Sequence, residues 1–331
     1  MLRVLRPDVP TTDQILPYLR RIDAAKWYSN GGPLVRELEA RMGGVTVASA
    51  TLGLELVAPL VFKRRRVRIP ALTFVATATA LLRAGLEPVI CDVDDRWALV
   101  DPDEDSLTVC PFGAPVAPGG LVDAASAWGN QNEGVRVFSL HATKALPAGE
   151  GGLVVGPADL LERVRKLANF GLEVTPFAHG IVAEAGTNAK MSEYHAAVAL
   201  ASLDRWEHTV RWRIALDEAY REQLTWIGTQ PRPRGGVYTT FPVLVPDAAA
   251  VAKRLAEREI ETRRWYCPTI ERHPAFSGCR VEGDLRNARR LNDQLLCLPF
   301  HAEMQRDDVE RVCEALRWAI TGSAAGQSCI G

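Results

Sequence analysis

Cysteine is sparse and unpatterned. There are seven in 331 residues, none at CxxC spacing and odd in number, which argues against both a zinc site and a disulfide framework. Most are expected to be small buried hydrophobes. The six histidines show no HxxxH-type spacing, so no catalytic metal is predicted. Charge of one sign is lacking too: 39 Lys and Arg stand against 40 Asp and Glu, a formal net charge of -1, with no basic face to follow a phosphate backbone. The one dense cationic run, Lys63-Arg64-Arg65-Arg66, reads as a solvated loop between a helix and a strand; contact with nucleic acid or membrane is the second reading. No apolar window reaches the length of a membrane helix, and the opening MLRVLRPDVP has no apolar stretch of signal-peptide length. The cytoplasm is therefore the default location. Internal repeats and low-complexity blocks are absent as well.

What is present is a chain with 47% hydrophobic residues, long enough to bury a large core and to divide in two. The patterns predict a large domain over 1–215, with an N-terminal loop, and a smaller C-terminal α/β domain over 216–331. Helices are expected over Thr12 to Lys26 and Pro33 to Met42, the second with proline just inside its start. Between them lies the aromatic loop Trp27 to Gly32. Then strands and helices alternate: strand Val45 to Ala48, helix Leu52 to Val61, strand Val67 to Ile69, helix Phe74 to Ala84 and strand Pro88 to Cys91. That alternation reads as a doubly wound, mostly parallel sheet. Leu121 to Asp123, Val135 to Leu140 and Gly152 to Val155 read as short buried strands, with no crossover helix before Asp123. A long helix is expected from Ser192 past Asp204. After the breaker-rich segment Gly228 to Gly236 come strand Val237 to Val245, helix Ala248 to Glu259, strand Thr262 to Tyr266 and helix Asp307 to Ile320, with a frayed tail from Gly322.

Open α/β sheets bind ligands at the carboxyl ends of their strands. Polar residues at predicted strand ends include Thr51, Thr73, Asp123 and Lys144. Lys144 follows the apolar run Val135 to Phe138 and precedes a glycine-rich turn, as a Schiff-base lysine of a pyridoxal phosphate enzyme must; partial desolvation there lowers its pKa so that the amine attacks a carbonyl. Such a cofactor needs an imine-forming lysine, a carboxylate for the ring nitrogen, a phosphate cradle and a flat group against the ring. Asp123 is the candidate carboxylate, followed by small residues that let a planar ring approach; standing alone it would read as a turn cap. Ser49-Ala50-Thr51 leads into a helix whose free N–H groups favour an anion, although a plain N-cap explains the same residues. Ser139 could add a hydroxyl to that phosphate, and Phe74 could stack on the ring or lie in the core.

Five segments carry a wider likeness: Asn30 to Val35 (NGGPLV), Pro70 to Asp92, Val122 to Gly129 (VDAASAWG), Ser139 to Gly152 (SLHATKALPAGEGG) and Gly186 to Ala197 (GTNAKMSEYHAA), joined by Leu298-Pro299-Phe300-His301. In this order, over nearly the whole chain, they resemble the motifs of the DegT/StrS sugar aminotransferase family. The resemblance implies the type I aminotransferase fold, pyridoxal 5'-phosphate as cofactor, and transfer of the amino group of L-glutamate to a ketone on a nucleotide-linked deoxysugar. It makes Lys144 the imine lysine and proton carrier, Asp123 the pyridinium partner, Phe74 the stacked aromatic, and Ala50, Thr51 and Ser139 the phosphate contacts. Asn188 matches an asparagine that reaches the phosphate from a neighbouring subunit, which implies a homodimer with shared active sites. Asn169-Phe170-Gly171, Lys190 and Arg264-Trp265-Tyr266 resemble the branch acting on 4-keto-6-deoxyhexoses. Tyr28, Asn30, Trp265 and Tyr266 are the expected substrate-lining residues.

The chain also departs from that family. Ala50 stands where glycine is preferred and must keep negative φ. Ser126 stands where glutamine or histidine often contacts the ring hydroxyl, and Trp128 replaces a common histidine. Cys110 to Gly120 is a proline- and glycine-rich short cut in place of a crossover helix. An aminotransferase for an aminocyclitol or other cyclic ketone, and a non-catalytic regulatory protein on the same fold, are the alternative readings.

Overall fold

Residues 1–172 and 182–322 are described by a computed structural model; the tail expected to fray, beyond Gly322, and Cys329 within it lie outside the described residues. Along the chain come α1 (Thr12–Ala25), α2 (Pro33–Met42), β1 (Val45–Val47), α3 (Ala50–Val61), β2 (Arg66–Pro70), α4 (Val75–Arg83), β3 (Glu87–Cys91), β4 (Leu107–Val109), β5 (Leu121–Asp123), β6 (Arg136–Ser139) and β7 (Gly152–Val155). There follow α5 (Ala158–Leu167), α6 (Glu193–Asp204), α7 (Trp206–Gln223), β8 (Gly228–Thr229), β9 (Phe241–Leu244), α8 (Ala248–Glu257), β10 (Arg280–Val281), α9 (Arg286–Gln294), β11 (Leu295–Leu298) and α10 (Arg306–Thr321). Among the described residues no helix is long and apolar enough to cross a membrane.

The first sheet runs β1-β7-β6-β5-β4, and a parallel bridge between Arg68 and Ser106 joins it to β2-β3-β10. Every strand in this array points the same way except β7, which is antiparallel to both β1 and β6. The sheet is thus mostly parallel and covered on both faces, as the alternating pattern predicts. One face packs Leu121, Val137 and Ile69 against Leu54 and Val57 of α3 and Leu81 of α4. The other packs Val122, Phe138 and Leu153 against Leu34 and Leu38 of α2 and Ala197 and Leu200 of α6. A smaller antiparallel sheet, β11-β9-β8, forms a separate core with α7, α8 and α10 through Tyr220, Phe241, Leu255, Leu298 and Leu316. The N-terminus joins that second core, pairing Leu2 with Ile260 and giving Val4 O to Phe300 N–H at 2.9 Å.

Parallel neighbours ordinarily need a long helical crossover, yet β4 and β5 are parallel partners joined by residues 110–120 alone. The segment makes one tight turn at Pro111–Gly113 and returns along the neighbouring backbone. Close approach explains its glycines: a Cβ on Gly119 or Gly120 would collide with the carbonyl oxygen of Ser106 or Glu104.

Three expectations are corrected. The helix from Ser192 stops at Asp204 and restarts at Trp206, with Arg205 at φ -96°, ψ 3° between them. Asp204 is held there by Tyr18 Oη at 2.6 Å and Arg41 Nη2 at 3.0 Å, while α7 leaves to pack on the second core. Of the strand expected over Val237 to Val245, only Phe241–Leu244 is strand, because Val237 is taken up by the side chain of Asn130. Thr262 to Tyr266 is not a strand: Arg263 alone exchanges both backbone bonds with Cys297, and the chain then turns so that Trp265 and Tyr266 pack against the first core. Burying a ring at about 1.5–3 kcal/mol outweighs ladder bonds worth about 1 kcal/mol each.

Candidate active site

Lys144 and Asp123 open into one cavity of about 430 Å³ at the carboxyl ends of β4, β5 and β6. Its size is within the range of small-molecule sites. Asp123 ends β5 and is buried. Its Oδ2 accepts from Thr77 Oγ1 at 2.8 Å and its Oδ1 from the N–H of Ala125 at 3.1 Å. Burial raises its pKa, opposed by those two hydrogen bonds and by the charge of Lys144. Lys144 is half-buried as a whole residue, and its Nζ donates to Ser126 Oγ at 2.9 Å. Burial of that amine lowers its pKa, with Asp123 pulling the other way. A lysine so placed yields the neutral nucleophile at lower pH than a surface lysine does.

The side of the cavity at the α3 N-terminus is built from three chain segments. Ser49 caps α3 by accepting the N–H of Leu52 at 3.2 Å, so Ala50 and Thr51 occupy a first turn whose N–H groups have no intrahelical acceptor. Ala50 avoids positive φ there, as a non-glycine residue at that position must. Ser139 ends β6 and pairs with Gly152, whose missing Cβ would sit 2.7 Å from Ala50 N. Ala50, Thr51, Ser139 and Phe74 all line the cavity, and Phe74 at 57% exposure stands at its mouth. Ser126, Trp265 and Tyr266 line it too.

These groups fit a phosphorylated pyridine aldehyde. An ionised carboxylate has about four acceptor positions, and the two contacts on Asp123 leave room for a protonated ring nitrogen. The amine, the acid and the helix N-terminus face one space.

The remaining candidates lie elsewhere on the single chain. Asn30 lines a separate, larger depression with Asn169, Phe170 and Lys190. Tyr28, 47% exposed, stacks on Tyr194 with ring centroids 6.3 Å apart. Asn188 is exposed and accepts from Lys190 Nζ at 2.7 Å, and Lys190 also lies over the Phe170 ring. Trp128 is a packing residue, edge-on to Phe138 and Trp206. Arg264 turns away to the carbonyl of Asn292.

Sequence reasoning missed Thr77, Phe112, Thr240 and Cys110 at this cavity or its supports. Thr73 and Thr77 are four residues apart and bond each other at 2.8 Å; that i, i+4 spacing at the start of α4 was the available signal. Phe112, with φ 55°, stacks on Tyr266 at 4.9 Å and 17°. Nothing local in the sequence announces that contact.

A lysine and an acid share a cavity at the strand ends of a mostly parallel sheet, an arrangement that fits a pyridoxal-phosphate-dependent aminotransferase. The chain belongs to the DegT/DnrJ/EryC1/StrS aminotransferase family, which it matches over residues 10–111 and 121–317. The gap between the two matched stretches falls within the shortened β4–β5 connection. A dTDP-4-amino-4,6-dideoxy-D-glucose transaminase of Shigella dysenteriae is 28% identical over 362 residues, covering 95% of this chain and 98% of that protein. The solved structure of DesI with its TDP-sugar product is 32% identical, with a TM-score of 0.86 over 97% of this chain and 93% of that one. A PLP-dependent aminotransferase from Bacillus cereus ATCC 10987, described as putative, superposes with a TM-score of 0.87 at 25% identity, covering 96% of this chain and 99% of that one. Fold, cofactor and enzyme class are those that the sequence motifs imply.

Proposed function

We propose that the enzyme moves the amino group of L-glutamate to the keto carbon of a nucleotide-linked 4-keto-6-deoxyhexose, working as a homodimer with shared active sites. The observation that carries the reading is the Lys144 amine and Asp123 carboxylate facing one cavity beside the α3 N-terminus. The names of the relatives support the sugar. Pyridoxal 5'-phosphate, when bound, supplies the electron sink. Asp123 keeps a proton on the ring nitrogen. Lys144 Nζ holds the cofactor between turnovers, then takes the proton from the α-carbon of the amino donor and returns one to the acceptor carbon. The Ala50 and Thr51 N–H groups and the Ser139 hydroxyl hold the phosphate, Phe74 covers the ring, and Trp265 and Tyr266 face the sugar. Tyr28, Asn30 and Asn188, exposed on the single chain, serve the site of the second subunit. Free thiols at all six described cysteines fit a reducing, cytoplasmic setting.

The test is turnover with glutamate and dTDP-4-keto-6-deoxyglucose, followed by release of 2-oxoglutarate, beside a panel of cyclitol ketones. Turnover restricted to the cyclitols would replace the sugar assignment. A purified protein that takes up no visible cofactor absorbance would instead favour the regulatory reading.

A further inference from the structure

Lys144 shares its loop with two side chains that the reaction described above does not use. The ionisable groups lining the cavity are Cys110, Asp123, His141, Lys144, Glu150 and Tyr266. Burial raises the pKa of Cys110 and of Tyr266, so both stay neutral. That leaves His141 and Glu150, whose side chains are 45% and 58% exposed at the rim. Strands β6 and β7 pair Ser139 with Gly152, and the ladder runs on past their ends: the N–H of Leu140 donates to Gly151 O and the N–H of Ala142 to Gly149 O, each at 2.9 Å. The register therefore sets His141 directly across from Glu150 as a cross-strand neighbour. Glu150 is held there between two glycines with φ of +85° and +147°, conformations that side-chain-bearing residues rarely adopt. The N–H of Lys144 donates to His141 O at 2.9 Å, so the pair and the reacting amine belong to one hydrogen-bonded turn.

The two facing groups leave a gap of defined polarity. The backbone N–H of Thr143 donates to His141 Nδ1 at 3.3 Å, which makes Nδ1 an acceptor and puts the ring proton on Nε2. That Nε2 lies 3.7 Å from Glu150 Oε1, beyond hydrogen-bond reach. A group filling the gap must accept from the ring and donate to the carboxylate. An ammonium cannot accept; an ionised phosphate or carboxylate cannot donate, and Glu150 repels it. A hydroxyl does both. We propose that His141 and Glu150 form a specificity site for the hydroxyl next to the ketone of the sugar substrate, with the ring donating to its oxygen and its proton donated to the carboxylate. The position beside the ketone follows from the turn that the pair shares with Lys144, whose amine must meet the ketone carbon. The inference rests on the keto-sugar reading above.

The experiment compares dTDP-4-keto-6-deoxyglucose with its 3-deoxy analogue as amine acceptors. It uses the wild type, Glu150→Gln, His141→Asn and the double variant, each loaded with pyridoxal phosphate. Asparagine keeps an acceptor for the Thr143 N–H and is too short to reach the gap. The wild type should favour the 3-hydroxy sugar by about a hundredfold in kcat/KM, the equivalent of two hydrogen bonds, one of them to a charged acceptor. That ratio should fall by about tenfold in each single variant and by about tenfold again in the double variant. Any difference in reactivity between the two ketones is common to all four proteins, so the change in the ratio reports the pair. His141→Gln, whose amide N–H reaches the position of Nε2, should recover part of the loss. Bleaching of the visible band by glutamate, a half-reaction that involves no sugar, should stay within about twofold of wild type in every variant. An unchanged ratio in either single variant would overturn the proposal, and a slowed glutamate half-reaction would overturn it by placing the pair on the amino donor. A wild type that turns over cyclitol ketones and neither sugar would instead overturn the substrate reading itself.

Discussion

Thr77 gives its hydroxyl proton to Oδ2 of Asp123 at 2.8 Å, so in its second contact, with Thr73 Oγ1 at 2.8 Å, Thr77 is the acceptor. The two threonines thus form a directed chain, from the start of α4 to the carboxylate that ends β5. Burial alone drives Asp123 toward its neutral acid, and Thr77 acts against that drift. Thr77→Val keeps the shape and removes the donor. It is expected to weaken pyridoxal phosphate binding by about tenfold, the equivalent of one hydrogen bond to a charged acceptor, while Thr77→Ser stays near wild type. Fluorescence titration of the cofactor-free protein measures this; equal affinity in Thr77→Val would show that the carboxylate is held ionised by other groups.

The same pair marks what the sequence could and could not reveal. That Lys144 and Asp123 share a cavity was legible because Asp123 ends one short apolar run and Lys144 lies in the turn just past another, and the strand ends of an open α/β sheet are where chemistry is expected. Pro33 and Met42 bounded α2 correctly for a similar reason, since helix ends are local chemistry. Thr77 was not legible, because its importance arises only when α4 lies against β5, 46 residues away in sequence. Tyr266 was placed at the site by resemblance, but its Phe112 partner comes from a segment with no counterpart in the family match. Thr262 to Tyr266 has strand-like composition, and tertiary burial of its aromatics overrode that preference.

The lowered pKa of Lys144 has a consequence for stability with a definite sign. The folded chain releases this proton at lower pH than the unfolded chain does. Between the two values the unfolded chain binds more protons, so stability rises with pH across that window. The cost of the buried ammonium is full below the folded pKa and gone above the ordinary lysine value. Cofactor-free wild type should therefore melt below Lys144→Met at neutral pH, with the gap closing as pH rises toward the ordinary lysine range. Thermal melts across that range check it; a gap that widens with pH would contradict a destabilised ammonium. Turnover and visible cofactor absorbance should both vanish in Lys144→Met.

Gly113 couples the shortened connection to the site in two separable ways. Its φ is +94°, and an added Cβ would stand 2.6 Å from the carbonyl oxygen of Ser126. Gly235 has a comparable φ of +73° with open space around it. Gly235→Ala should therefore carry only the backbone cost, about 1–2 kcal/mol, and Gly113→Ala should add overpacking for a total of about 2–4 kcal/mol. Urea unfolding of the two variants separates the terms. Gly113→Ala should also lower kcat, since Ser126 must move, whereas Gly235→Ala should leave kcat unchanged. Equal destabilisation by both would show that the Ser126 backbone yields without cost.

Asn188 and Lys144 test the shared site directly. Asn188 is exposed and bonded to Lys190, away from the cavity of its own chain, while Lys144 lines that cavity. If Asn188 completes the phosphate cradle of the opposite subunit, Lys144→Ala and Asn188→Ala homodimers are each impaired for different reasons. In a mixed dimer, one site receives both damaged residues and the other receives neither. Combining the two impaired preparations under conditions that exchange subunits should therefore raise activity above that of either alone, by one intact site per mixed dimer. With random exchange, half of all dimers are mixed, so total activity approaches about one quarter of wild type, the arithmetic of symmetric two-fold pairing. A mixture that exchanges subunits by size-tagged chromatography yet gains no activity would place Asn188 in the site of its own chain.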